Sequence, residues 1–222
     1  MHMEASAFEH EAPYQIDTSE AVANLLSEFL EVAFHYILYI RGIYSPLLFE
    51  QARKYNIPVQ VCRHPKLNQY IKQVLNSLSP MIEKNEIQRV VLAVIDKEHW
   101  TVEAFNFSVQ NSSGANLEDD KYLLELESHF RSFLLKISVC NTLLKPLPEG
   151  CTFMVQAVTK LSSAANMEYT HSEQEFPWII LDQQEHSINN STVAPLKSVS
   201  TGIVQMQLYV EEAQHHISSL DV

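Results

Sequence analysis

Between Val32 and Ile40 the sequence VAFHYILYI places apolar side chains around almost the whole circumference of a helix. A helix of that kind has to be packed on several sides, so the fold must supply enough other elements to surround it. Asp17 followed by Glu20 reads as a capping-box-like start, and the helix is expected from about Glu20 to Arg41, ended by Gly42 and Ser45-Pro46. The apolar stretch Leu25 to Ile40 contains Ser27, Glu28, Glu31 and His35, which reads as too short and too charged to span a bilayer. It is expected inside a core.

The surrounding elements follow in order. Pro46 suits the first turn of a short second helix through about Lys54, and Ile57 to Val61 reads as an edge strand because Pro58 cannot donate to a central ladder. Leu67, Tyr70, Ile71, Val74, Leu75, Leu78, Met81 and Ile82 recur at helical spacing, with Pro80 in the last turn and Asn85 as a stop. Ile87 to Ile95 shows little alternation and is expected to be a strand buried on both faces. The charged turn Asp96-Lys97-Glu98-His99 returns the chain as Trp100 to Val109, where a slip of apolar phase between Ala104 and Phe105 predicts a bulge.

A third long helix is expected from about Asp119 to Leu144, with Leu123, Leu126, Phe130, Phe133, Leu134, Ile137, Cys140 and Leu144 on one face. Arg131, Leu135, Val139 and Thr142 gather on the opposite side, and a helix with two stripes has two things to touch. Cys151 to Val158 reads as a further strand. The order indicates an α+β domain, three principal helices on one sheet, spanning residues 17–212 between a flexible acidic leader (1–16) and a frayed tail (213–222).

The C-terminal part is the least ordinary. An apolar run from Phe176 to Leu181 contains Trp178; a polar loop follows, and then Val204, Met206, Leu208 and Val210 alternate with Gln205, Gln207, Tyr209 and Glu211. Alternation of period two is a half-buried strand, with Gln207 and Tyr209 facing out. So long a loop between two strands in a compact domain usually has a function or is disordered.

Chemistry is mostly argued away. The 222 residues carry 27 acids against 15 bases, a formal charge of −12, and the densest basic cluster is Arg53-Lys54. Binding to nucleic acid or to an anionic membrane surface, which needs clustered Lys and Arg, is disfavoured. Three cysteines (Cys62, Cys140, Cys151) without a C-x-x-C pair point to a reducing compartment, and the first fifteen residues do not read as a secretory signal. Four scattered glycines (Gly42, Gly114, Gly150, Gly202) exclude a phosphate-cradling loop, a dinucleotide fingerprint and a nucleophile elbow. Cys62-Arg63-His64 and His215-His216 lack a second pair at metal-ligand spacing, and Asp96, Glu98 and His99 have no nucleophile to serve. No catalytic residue, metal or cofactor is expected, although a dispersed active site of an α+β enzyme stays open as a competing class. Binding surface is what remains.

Several segments resemble the HORMA-domain family, and within it the mitotic-arrest-deficient-2-like accessory subunits of translesion DNA polymerase zeta. They are Glu28-Phe-Leu-Glu-Val-Ala33, Tyr55-Asn-Ile-Pro-Val-Gln60, Leu67-Asn-Gln-Tyr-Ile71, Asp96-Lys-Glu-His99, Leu135-Lys-Ile-Ser-Val-Cys140, Gly150-Cys-Thr-Phe153, Phe176-Pro-Trp-Ile179 and Met206-Gln-Leu-Tyr-Val-Glu-Glu212. The resemblance covers about residues 22–212. It implies three helices on a mostly antiparallel sheet and a mobile C-terminal "safety belt", about residues 162–212, that closes over a proline-containing partner peptide added as an edge strand.

By the same resemblance Tyr70, Trp178 and Ile180 contact the peptide, and Val193, Gln207 and Tyr209 dock a second partner. Arg131 matches a self-association face that includes Leu135, Val139 and Thr142. The implied partners are the catalytic subunit of polymerase zeta, the C-terminal domain of a Rev-one-type polymerase, other repair or mitotic proteins with similar motifs, a AAA+ remodelling ATPase and a second copy of the chain. A non-enzymatic adaptor in the nucleus, and also the cytoplasm, is expected; a spindle-checkpoint HORMA protein is the alternative.

Overall fold

The computed structural model describes residues 18–111, 120–160, 176–179, 188, 190–201 and 204–214. The expected leader, residues 161–175, Ile180 with most of the loop after it, and the paired histidines of the tail lie outside the described residues.

Helix α1 (Thr18–Ile40) is surrounded as its composition requires. Phe29, Leu30, Ala33, Phe34, Ile37 and Leu38 are fully buried. Phe29 stacks on Phe130 of α3 (Asp120–Ser138) at 4.4 Å between ring centres, and Phe34 meets Phe107 of β4 (Thr101–Asn111) edge-on at 5.8 Å. Helix α2 (Pro65–Glu83) covers another side. By length and apolar content alone Ser19–Ile40 could reach across a bilayer, contrary to the reading from Leu25–Ile40, but here it is the core helix, largely enclosed by its neighbours.

Helix α2 starts at Pro65, keeps Pro80 within its last turn and ends as Asn85 predicts. Asn85 adopts a left-handed φ of 55°, its N–H bonds to the Ile82 carbonyl, and Glu86 N–H bonds to the Met81 carbonyl at 2.8 Å. That pair of bonds is the Schellman arrangement, which satisfies carbonyls the helix leaves unpaired.

The expected second helix is not formed beyond a single 3-10 turn, Pro46–Leu48; the chain becomes strand β1 (Phe49–Lys54), paired with β2 (Ile57–Cys62) in a hairpin. Local helix propensity loses to tertiary context. Phe49 is buried against Tyr39, and the two-residue turn Tyr55-Asn56 has both φ angles positive, 48° and 61°, as a tight hairpin turn demands. The unusual backbone at Tyr55 is held from outside. Its ring lies 5.3 Å from Phe130, and its carbonyl accepts a bond from Arg131 Nε at 2.9 Å.

The main sheet is antiparallel in the order β5-β3-β4-β7-β6. Its strands are β3 (Ile87–Ile95), β4, β5 (Thr152–Thr159), β6 (Ser191–Ser200) and β7 (Val204–Ala213). The bulge predicted at Ala104/Phe105 is absent there. Register shifts instead opposite Val94/Ile95, and the apparent phase slip arises because β4 is central and buried on both faces from Val102 to Phe107. Helix α3 ends at Ser138 rather than Leu144, and a 3-10 turn at Cys140–Thr142 carries the chain on.

Strand β6 occupies part of what the sequence presents as the polar loop after Leu181. It is an edge strand whose register shifts at Pro195/Lys197, the setting in which a strand tolerates proline. Strand β7 matches expectation: Val204, Met206, Leu208 and Val210 are buried while Gln205 and Gln207 are exposed.

Candidate functional site

Strand β5 pairs only with β3, so one edge of the main sheet presents a backbone ladder without a strand partner among the described residues. Aromatic rings flank that edge on the helix side. Phe153 of β5 meets Tyr44 at 6.2 Å and Tyr70 of α2 at 5.8 Å; Tyr70 meets Phe176 at 6.2 Å, and Phe176 meets Trp178 at 5.0 Å. Trp178 is half-buried, and its indole N–H donates to Ser77 Oγ on α2 at 3.0 Å. Ser77 Oγ in turn donates to the Val74 carbonyl at 2.7 Å, so the indole is held by a chain of bonds. Burial raises the Tyr70 phenol pKa, with the Val155 backbone N–H pulling against it.

Two of the three residues expected at a peptide site, Tyr70 and Trp178, thus share one aromatic wall; Ile180 lies outside the described residues. The expected strand-like run is not a strand where it is described: Phe176 to Ile179 is irregular, with Ile179 fully on the surface. Tyr44, Ser77, Phe153 and Phe176 were not singled out. Alternation along Cys151–Val158 could have nominated Phe153, whereas Tyr44 sits in a connection with no periodicity to read.

On the other face of the sheet a second, smaller apolar cluster comprises Val91, Ala93 and Ala104, with Met154, Val158 and Ile188 packed against it. The chain is therefore on the helix side at Trp178 and on the opposite side at Ile188.

The residues expected to dock a second partner come together on this same outer face. Val193 of β6 is 54% exposed and lies opposite Glu211 of β7; Pro195 lies opposite Tyr209, and Ser198 opposite Gln207. Tyr209 is half-buried and accepts a hydrogen bond from Arg89 Nη1 of β3 at 2.8 Å. A groove of about 460 Å³ alongside is lined by Ser108, Gln110, Ser198, Ser200, Gln205 and Gln207, with no charged residue.

The stripe on α3 is apolar and open: Leu135 is 51% exposed, Val139 48% and Leu143 59%. Val139 and Thr142 lie past the helix end, where Thr142 is exposed and its hydroxyl donates to the Val139 carbonyl. Arg131 is half-buried and bonded to Tyr55, so part of its bonding capacity is used within the chain.

Strand β7 is anchored at its far end. Glu212 accepts from Lys145 N–H at 2.6 Å and lies directly opposite Glu103 of β4. Glu103 is buried and bound by Arg41 through both nitrogen ends, at 2.5 and 3.0 Å, while Arg41 also reaches Asn141 and the Lys145 carbonyl. Burial pushes the Glu103 carboxyl upward and Arg41 pulls against it.

Elsewhere, burial pushes the Cys140 thiol up to about 11, which makes it an inert core side chain at neutral pH. Asp96 Oδ1 accepts the N–H groups of Glu98 and Trp100, a turn-closing role rather than an acid–base one. Among the described residues no three of His, Cys, Asp and Glu converge as metal ligands.

A family model described as the HORMA domain matches residues 22–203. A rat protein named "Mitotic spindle assembly checkpoint protein MAD2B" is 42% identical over 200 residues, which is 90% of this chain and 95% of that protein. An Arabidopsis thaliana protein named "DNA polymerase zeta processivity subunit" is 34% identical over 87% of this chain and 86% of its own length. Among solved structures, a chain of the "Crystal Structure of Mitotic Checkpoint Complex" superposes with a TM-score of 0.73 at 24% identity, covering 86% of this chain and 98% of that one. A structure described as "C. elegans HTP-2 bound to HTP-3 closure motif 1" does so with a TM-score of 0.68 at 12% identity, covering 91% and 90%.

Proposed function

The chain belongs to the HORMA-domain family, and we propose that it is a non-enzymatic adaptor which captures a proline-containing peptide as an added strand on the free edge of β5. The aromatic row Tyr44–Phe153–Tyr70–Phe176–Trp178 beside an edge strand carries this reading. Main-chain bonds to β5 supply affinity, and the rings supply pockets for alternate side chains. The segment through Trp178 and Ile188, on opposite faces of the sheet, is the belt that crosses the bound peptide. Because the peptide would lie under that segment, its release requires the belt to move, a step suited to a AAA+ remodelling ATPase.

Relatives named as polymerase zeta subunits support the catalytic subunit of that polymerase as the source of the peptide. Val193, Gln207 and Tyr209 form the second face, for the C-terminal domain of a Rev-one-type polymerase, so that the chain bridges two polymerases in DNA damage tolerance in the nucleus. The exposed Leu135–Val139–Leu143 patch with Arg131 and Thr142 is a self-association face. A net charge of −12 fits a protein that reaches DNA through its partners. The alternative, a spindle-checkpoint role with mitotic peptide partners, is favoured by the names of the rat and other MAD2B relatives.

A pull-down from nuclear extract separates these readings. Trp178→Ala is expected to lose the polymerase zeta catalytic subunit and keep the second polymerase; Tyr209→Ala is expected to do the reverse. Retention of every partner by both variants would falsify the site assignment, and capture of mitotic proteins alone would favour the alternative.

A further inference from the structure

Tyr209 presents its ring on the face proposed for the second partner, yet its hydroxyl already has a bond within the chain. Arg89 sits on β3 opposite Ser108 of β4, and Ser108 sits opposite Gln207 of β7. The guanidinium must therefore reach diagonally across β4 to donate from Nη1 to the Tyr209 oxygen at 2.8 Å. Arg89 Nε is buried and has no partner among the described residues, so the group lies against the sheet instead of extending into water.

The direction of that bond has a consequence. An arginine can only donate, whereas a phenol has one proton to give and lone pairs with which to accept. With Arg89 bound to its oxygen, Tyr209 keeps its proton free to donate, and a neighbouring cationic donor strengthens that donation through the chained bonds. The neighbouring groove is lined by hydroxyl and amide side chains together with Val199 and Met206, none of them charged. We propose that Arg89 is a positioning residue that sets Tyr209 as an outward hydrogen-bond donor, and that the second partner meets it with a carbonyl or carboxylate oxygen. This rests on the reading of the Val193–Gln207–Tyr209 face as the second docking site.

The test is a double-mutant cycle on affinity for the isolated C-terminal domain of the Rev-one-type polymerase. Arg89→Met and Tyr209→Phe are each expected to weaken binding about tenfold, as the loss of one charge-assisted bond does. The double variant is expected to be weaker by about tenfold as well, not a hundredfold, because both substitutions remove one coupled unit. Arg89→Lys, which keeps a charged donor, is expected to bind more tightly than Arg89→Met and serves where that variant folds poorly. Unchanged binding of the first-partner peptide checks that each variant is folded. Wild-type affinity for Arg89→Met, or multiplying effects in the double variant, overturns the proposal. If Tyr209→Ala loses the domain while Tyr209→Phe and Arg89→Met do not, the docking face stands and the positioning role falls. Full binding by Tyr209→Ala removes both.

Discussion

His35 lies in the otherwise apolar Val32–Ile40 stretch of helix α1, 4% exposed, with Nε2 unpartnered among the described residues. Burial, helped by the nearby charge of Lys72 on α2, lowers its pKa to about 4. The folded value is below the ordinary histidine value of about 6.5, so the unfolded chain binds the proton first. Stability is complete above about pH 6.5 and is lost as pH falls toward 4, by up to about 3 kcal/mol. Urea unfolding at pH 7 and pH 4.5 should show a smaller fall for His35→Leu than for the wild type. An identical fall in both would mean that His35 is protonated inside the fold. The imidazole therefore needs no function: it is a core side chain that neutral pH keeps uncharged.

Among the elements, the joint that ties the C-terminal hairpin to the core brings four charged residues together: Arg41, Glu103, Lys145 and Glu212. Glu103 and Glu212 face each other across β4 and β7, an arrangement that costs stability unless cations intervene. Arg41, at the end of α1, and Lys145 intervene. The Arg41 and Glu103 side chains are 4% and 2% exposed, so removing one strands the other. Arg41→Met is expected to cost about 3–5 kcal/mol in urea unfolding, and Arg41→Met/Glu103→Leu to recover most of it. A double variant no better than the single would show that Arg41 acts through Asn141 and the Lys145 carbonyl instead.

None of this joint was visible in the sequence, because Arg41, Glu103, Lys145 and Glu212 are brought together only by the sheet. Elements with a clear apolar pattern were legible: α2 and β7 fall where their apolar spacing puts them, and α1 and β3 where their nearly continuous apolar runs do. Strands β1 and β6 were not, since FEQARK has helix-forming residues and STVAPLKSVS carries a proline that only an edge with a register shift accepts. At the site, resemblance named Tyr70 and Trp178. Tyr44, Ser77 and Arg89 act through partners far away in sequence, and a periodicity argument has no access to such pairs.

For the molecule as a whole, the three proposed surfaces use different parts of the fold: the β5 edge, the outer face of β6 and β7, and the α3 stripe. Self-association through the stripe should therefore be separable from peptide capture. Arg131→Ala is an ambiguous probe, because Arg131 Nε also holds the Tyr55 carbonyl, where φ is 48° in a two-residue turn. Losing that bond could loosen the β1–β2 hairpin and alter association indirectly. Leu135 is half-exposed and on the open side of the helix, so Leu135→Glu places a charge in the patch while leaving the core untouched. An interface that buries Leu135, Val139 and Leu143 cannot accept an unpaired carboxylate without a large desolvation cost. At concentrations where the wild type sediments as a dimer, Leu135→Glu is expected to sediment as a monomer with an unchanged thermal midpoint and unchanged peptide affinity. A dimer that survives Leu135→Glu would move self-association to another surface, and the free β5 edge would then be the first place to look.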